Sequence, residues 1–350
     1  MSGPHLTRPG VPGTLAPRWR LPLLLMLLAC GLVIATGLGT SFLSPTRVSA
    51  ALIGAGSDMD EIIIWTLRLP RVALAVLAGM ALALSGALMQ RALRNPLAVP
   101  SILGVSDGAA LGVVTFLYFF SNENNVLTVS IHWMPVAGVL GAIGLAAAIA
   151  LLTAGDPRGR DPLRLILYGV ALSALAKAAV VLMMILGPVY RAGQALRWLT
   201  GAVNAAHWSD VFVVAAGLAL AVPVLLLLRL PMRQITLDPA SARATGLGVE
   251  PTRAALLVLS VLLTALAVSQ VGAIGFVGLI APHAARIFHG QFSGGYLLSS
   301  AVMGGLLVLG ADTLGRMALP PHELPAGAVT ALLGTPVFLL LLLRRHHVTG

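Results

Sequence analysis

One lysine occurs in the 350 residues, Lys177, and it lies inside an apolar run. A charge in mid-bilayer costs about 3 kcal/mol on insertion scales, so such a residue normally faces a cavity or a partner. Gly169, Ser173 and Lys177 recur at i, i+4 and i+8 and share one small, polar helix face. That face is a candidate lining for a translocation pathway, where Lys177 would meet an anion. An internal hydrogen bond to a neighbouring helix is the other reading. Asp107, in the third apolar run, could be its partner. A second group is basic: Arg68 and Arg71 bracket Leu69-Pro70, and Arg316 closes Ala311-Asp312-Thr313-Leu314-Gly315-Arg316. An arginine fork pairs bidentately with carboxylates, which suits docking of a charged partner protein. Snorkelling to lipid headgroups is the plainer reading.

Other chemistries find no residues. A phosphate-binding loop of the GxxxxGK[ST] kind needs a lysine after glycine, but Lys177 sits between Ala176 and Ala178. If ATP drives this chain, another polypeptide binds the ATP and its magnesium. The histidines make no metal site. His346 and His347 are adjacent in a tail, His283 follows Pro282, and no pair stands at i, i+4 with a carboxylate on a helix. Iron, if carried, arrives inside a chelate. No Ser/His, Asp/Asp or HExxH set occurs in the apolar runs, so an intramembrane enzyme lacks its groups. Cys30 is the sole cysteine, so no internal disulfide can form. Its context, Leu27-Leu28-Ala29-Cys30, faintly resembles a lipoprotein cleavage site; the first apolar run is expected to stay as a helix.

The elements that carry these residues must be membrane helices. The chain is 58% hydrophobic and 10% charged, too little charge for a water-facing globular surface. Its apolar runs are continuous rather than alternating, which excludes an outer-membrane barrel. A crossing needs about 20 residues. Ten segments are expected, near 21–38, 69–91, 101–119, 133–154, 164–187, 209–230, 252–272, 274–289, 295–312 and 326–343. The eighth and ninth are short and glycine-rich, joined by the polar stretch Gln291 to Gly295. The fold class is all-α: one polytopic transmembrane domain over 1–350, with a tail at 1–20 and a long loop at 231–251.

Orientation follows from the arginines. With the N-terminus in the cytoplasm, fifteen fall inside, among them Arg8, Arg91, Arg94, Arg158, Arg160, Arg253 and Arg286. Six fall outside: Arg47, Arg68, Arg71, Arg191, Arg197 and Arg316. The bias puts both termini in the cytoplasm and makes the outer arginines exceptions that need a reason. Arginines spread over many short loops are no nucleic-acid face.

Two polar turns lie on the inner side. Asn95-Pro96-Leu97 ends the second segment, because proline stops the helix and bends the chain back. In the loop Leu237 to Val249, Asp238 can cap a short helix, Pro239 suits its first turn, and Gly246 and Gly248 end it. Such a helix could simply lie at the membrane interface. Gly104, Gly108 and Gly112 recur every four residues, and Gly138, Gly141 and Gly144 follow in the fourth segment. Small residues at that spacing let helix backbones approach closely.

Four blocks, in order, carry a family resemblance over nearly the whole chain. The first is Arg68-Leu69-Pro70-Arg71, then Gly79, Ser85-Gly86-Ala87, Gln90, Asn95-Pro96-Leu97-Ala98 and Leu103-Gly104-Val105-Ser106. The second runs from Gly272 to His283, the third from Ala311 to Arg316, the fourth from Glu323 to Pro336. Together they resemble the FecCD-type permeases of ABC importers for iron-siderophores, haem and cobalamin. The resemblance implies a cobalamin-permease-like, type II importer fold in the bacterial inner membrane. It implies a second permease subunit, identical or similar, two ATPase subunits that hold the ATP and magnesium, and a soluble or lipid-anchored substrate-binding protein. It assigns Arg68, Arg71 and Arg316 to docking that protein through glutamates on its two lobes. It places Asn95 and Leu97 at a cytoplasmic gate, and Ala242, Thr245 and Gly246 in the element that couples to the ATPase. It puts the fifth segment, with Gly169, Ser173 and Lys177, beside the central pathway.

The expected function is import of a ferric-siderophore-like chelate, with haem or cobalamin as alternatives inside the same family. A stand-alone secondary transporter would need coupling carboxylates in mid-membrane, and only Asp107 and Asp312 come near that.

Overall fold

The computed structural model describes residues 17–39, 42–121, 127–156, 162–187, 195–196, 198–290, 295–319 and 322–346. Arg8, Arg158, Arg160, Arg191, Arg197, Gln291 to Gly294 and His347 lie outside the described residues. The described helices are α1 (Pro17–Gly37), α2 (Pro45–Leu52), α3 (Asp58–Ile62), α4 (Leu69–Ala92), α5 (Val105–Phe119), α6 (Met134–Gly155), α7 (Pro162–Leu186), α8 (Trp208–Leu227), α9 (Pro231–Gln234), α10 (Pro239–Ala244), α11 (Val249–Val271), α12 (Val277–His289), α13 (Tyr296–Ala318) and α14 (Ala326–His346). Ten of them coincide with the ten expected segments, and among the described residues seven stretches are long and apolar enough to cross a membrane.

The differences from expectation lie at polar sequence. α13 runs on to Ala318 rather than stopping at 312, because Asp312 and Arg316 are buried inside it instead of marking its end. α5 starts at 105, after a 3-10 turn over Pro100–Leu103 and a left-handed Gly104 with φ +66°. α2 and α3, absent from the expected segments, are capped by the side chains of Ser44 and Ser57. A π-helical stretch, Ile63–Arg68, joins α3 to α4.

α4 is the centre of the bundle. Its apolar window is 78% buried, against 22% for α7 and 17% for α8, which are peripheral. The centre is built from small residues. Gly79 of α4 meets the Gly304 carbonyl of α13, and Gly86 meets the Gly278 carbonyl of α12. Gly108 and Gly112 of α5 meet Gly141 and Ala137 of α6 in the same way. These contacts replace a hydrophobic driving force, which lipid cannot supply between helices. Hydroxyls join α4 to α11: Ser85 Oγ lies 2.8 Å from Ser260 Oγ and 2.6 Å from Thr264 Oγ1. Trp208 Nε1 donates to the Trp65 carbonyl at 2.8 Å, forming an aromatic patch at the end of the bundle that carries Arg71. Tryptophan favours the membrane–water interface.

Two substitutions separate close packing from mere helix content. Gly86→Val should destabilise the chain by about 2 kcal/mol or more, since the new carbons overlap backbone. Gly144→Val should be tolerated, because nothing lies within 4 Å of a Cβ there. Thermal melts in detergent would compare the two. Equal melting temperatures would refute the packing account.

Candidate functional site

At the Arg71 end, α4 contributes a fork that joins three segments. Arg71 Nε donates to Asp312 Oδ2 at 2.9 Å and Nη2 to Asp312 Oδ1 at 2.8 Å. Its Nη1 reaches Glu323 Oε2 at 2.9 Å. Arg71 thereby ties α4 to α13 and to the segment that precedes α14. Arg68, at the end of the π stretch, donates through Nη1 to the carbonyls of Thr36 at 2.8 Å and Gly37 at 3.0 Å. Arg316 Nη2 donates to the Ala35 carbonyl at 2.9 Å. The last turn of α1 has no basic residue of its own. Two arginines from other segments therefore cap its exposed carbonyls, where a cation is favoured. Nearby, Arg47 grips Asp60 bidentately at 2.6 and 3.0 Å.

In this geometry all three outer arginines are engaged within their own chain. Arg68, Arg71 and Arg316, expected on a docking surface, are 6%, 8% and 6% exposed. The reason is electrostatic: a guanidinium pairs first with the carboxylates and helix carbonyls that its own fold supplies. Asp312 and Glu323 were not singled out as partners. Their signal was present as the acids in the third and fourth family blocks.

At the opposite end, Asn95 makes the turn after α4. Its Oδ1 accepts from the Leu97 amide at 2.9 Å, and its carbonyl accepts from the Ala98 amide at 3.1 Å. Asn95 thus shapes the turn, while Leu97 reaches a cavity of about 410 Å³. That cavity is lined by Ser101, Ser106 and Thr264 and by the irregular segment from Ala273 to Phe276. Phe276 has φ +65°, left-handed without being glycine. Such strain persists only where the surroundings hold it, and it concentrates at functional sites.

The expected cap of α10 is present. Asp238 Oδ1 accepts from the amides of Ala240 and Ser241, both at 3.0 Å. Hydrogen bonding from Ser241, side chain first and then backbone, holds the Asp238 carboxyl below its ordinary range. Its capping contribution is therefore present at neutral pH and is lost as pH falls through the acidic carboxylate range. Gly246, φ +80°, ends the turn, and its amide bonds the Arg243 carbonyl. Thr245 and Gly246 are exposed, but Ala242 is fully buried and packs inward.

Three arginines missing from the candidate set join this region to the Asn95 turn. Arg94 Nε donates to the Ile235 carbonyl at 2.8 Å, Arg253 Nε to the Ala92 carbonyl at 3.2 Å, and Arg91 Nη1 to the Met232 carbonyl at 3.5 Å. The last of these is long and weak. The turn after α4 and the segment leading into α10 are thereby one mechanical unit.

The polar face of α7 divides. Gly169 lies against the Ile102 carbonyl, and Ser173 is buried beside Gly104. These two positions pack against the start of α5 rather than lining open space. Lys177 Nζ stands 3.6 Å from Asp107 Oδ2, the pairing suspected from sequence. Among the described residues, no three histidine, cysteine or acidic side chains converge as a metal cluster.

The clamp predicts unequal costs. Asp312→Asn should destabilise by about 3–5 kcal/mol, since it leaves a buried arginine short of its charge partner. Glu323→Gln should cost less, because that carboxylate is 28% exposed. Melting temperatures in detergent would rank them, and a larger loss for Glu323→Gln would overturn the account.

Comparison with known proteins agrees with this architecture. The chain is 41% identical over 327 residues to the probable siderophore transport system permease protein YfhA of Bacillus subtilis (strain 168), covering 93% of this chain and 94% of that one. It is 39% identical to the achromobactin transport system permease protein CbrC of Dickeya dadantii (strain 3937), over 94% of this chain and 92% of that one. Among solved structures, a metal-chelate type ABC transporter in an inward-facing conformation superposes with a TM-score of 0.82 at 30% identity, over 94% of this chain and all of that one. The FecCD transport family model matches residues 24–344. A multi-pass helical chain with these blocks at these places belongs to the FecCD transport family.

Proposed function

We propose that this chain is the permease subunit of an ABC importer for a ferric-siderophore-like chelate. Both termini face the cytoplasm, as the arginine bias indicates, so the Asn95 turn and α10 lie inside and the Arg71 clamp lies outside. Two permease subunits form the pore, and the chain itself makes and breaks no bonds. ATP and magnesium belong to two separate ATPase subunits, which seat on α10 and the exposed Thr245 and Gly246. The observation that carries this reading is the tie between that region and the Asn95 turn, through Arg94 and Arg253. A push on α10 reaches the Asn95 turn through Ile235, just before α10, and through α11, which Arg253 ties to the end of α4. Rigid connection of this sort is what a gate driven from another subunit needs.

Delivery from outside requires a binding protein. The Arg71 clamp offers Glu323 as its most open group, at 28% side-chain exposure. We place docking at this rim, with acidic groups of the partner competing for Arg71, Arg68 and Arg316. Such contacts set register and association rate, and salt weakens them.

Reconstitution tests the whole. The chain with its ATPase and binding protein in liposomes should take up iron-55 chelate only with ATP, and the chain alone should neither transport nor hydrolyse ATP. Hydrolysis by the isolated polypeptide would sink the proposal. Replacing Arg94 and Arg253 together by alanine should leave ATP hydrolysis running while uptake falls about tenfold or more, the signature of a broken linkage. Reversing Arg68, Arg71 and Arg316 to glutamate should weaken binding-protein affinity at low salt; unchanged affinity in a folded variant would exclude docking there.

A further inference from the structure

We propose that Lys177 and Asp107 are an exchangeable counter-ion pair that makes the importer favour anionic chelates. The ammonium rests on Asp107 when no cargo is present and moves to an anionic donor of the chelate as it passes. The inference rests on the permease reading above and adds a charge preference to it.

Lys177 lies fifteen residues beyond Pro162 in the 25-residue α7. At 1.5 Å per residue that is about 22 Å from one helix end and about 14 Å from the other, inside the bilayer. Its side chain is nevertheless 68% exposed. Hydrocarbon does not tolerate a bare ammonium, so this edge of α7 meets water or another subunit. The pair itself is loose. At 3.6 Å, Nζ and Oδ2 stand beyond hydrogen-bond distance, and among the described residues neither group has another partner. Arg71 shows the opposite design: two carboxylates, contacts of 2.8–3.2 Å and deep burial. Chemistry separates the two cations as well. Arginine's fork fixes geometry, whereas lysine is a point charge on a flexible stem that changes partner easily. In a chain with 21 arginines, the single lysine makes the longest ion pair among the described residues.

Asp107 stands next in sequence to a residue that lines open space. It occupies the first turn of α5, where a carboxylate is favoured by the helix dipole. Ser106, directly before it, lines the 410 Å³ cavity together with Ser101, Thr264 and Leu97. Gly169 and Ser173 hold α7 against this same stretch. They fix the height at which Lys177 stands, so positions that are packed and a position that is open share one helix face.

The single lysine makes the test selective, since an acetyl group on a lysine of this chain reports this position alone. The assembled importer in nanodiscs would be treated with a membrane-impermeant acetylating reagent and read by mass spectrometry. Lys177 should label, and ferric citrate, an anion, should slow the labelling about tenfold. Ferrioxamine B, a cationic trihydroxamate chelate, should slow it less than about twofold. Lys177→Gln should reduce uptake from ferric citrate about tenfold relative to ferrioxamine B, and Lys177→Arg should restore part of the difference. Absence of labelling in every nucleotide state, equal protection by both chelates, or equal loss of both uptakes would each overturn the pair's role. If the assembled importer shows no ATP-dependent uptake of any ferric chelate, the proposed function fails, while labelling of Lys177 and its protection by ferric citrate still decide this inference separately.

Discussion

A hydrocarbon interior offers no hydrogen bonds, and that constraint decides where each polar group of this chain goes. The last carbonyls of α1 are met by Arg68 and Arg316. The charge of Arg71 is met by Asp312 and Glu323. The hydroxyl of Ser85 finds Ser260 and Thr264. Each partner comes from a distant part of the sequence, so the polar minority draws the helices together where apolar surface, as comfortable in lipid as against protein, cannot. The glycines then set how near they come. Backbone meets backbone at Gly79 and Gly304 and at Gly86 and Gly278, which is why α4 sits at the centre.

The same constraint separates what sequence reveals from what it hides. Ten helices were legible because an apolar run of span length has few other uses. The cap on α10 was legible because Asp238-Pro239 is a local signal whose donors, Ala240 and Ser241, lie within three residues. The partners of the arginines were hidden because they are far off: Asp312 lies 241 residues from Arg71, and Glu323 lies 252. No local pattern distinguishes an arginine that faces a partner protein from one that completes its own fold. The π stretch at Ile63–Arg68 was invisible for a related reason. Its residues suit an ordinary helix, and only the bonds of Arg68 to α1 show where its rotation matters.

Site residues fall between these cases. Gly169, Ser173 and Lys177 share one face of α7, and Asp107, named as a possible partner, stands 3.6 Å from Lys177. Periodicity could not tell which members of that face are packed and which are open, because that depends on the 3-10 turn at Pro100–Leu103. Similarly, Asn95 and Leu97 were singled out together, but one shapes the turn and the other reaches the cavity. Arg94 and Arg253 escaped notice because their acceptors are backbone carbonyls, which no side-chain motif records.

The shortness of α5 and α12 bears on how the chain is made. They contain 15 and 13 residues, about 22 and 20 Å of helix against a hydrocarbon core of about 30 Å. Neither can stand across a bilayer alone, since its irregular flank, Val99–Gly104 or Gly272–Phe276, would strand peptide groups in lipid. They can settle only with the neighbours that wall those flanks: Gly169 and Ser173 of α7 lie against Ile102 and Gly104, and Gly334 of α14 lies against Phe276. Biogenesis is thus not the release of ten independent spans from the translocon. The longer helices must partition first, and these two must be held near the membrane surface or within the insertion machinery until their neighbours arrive.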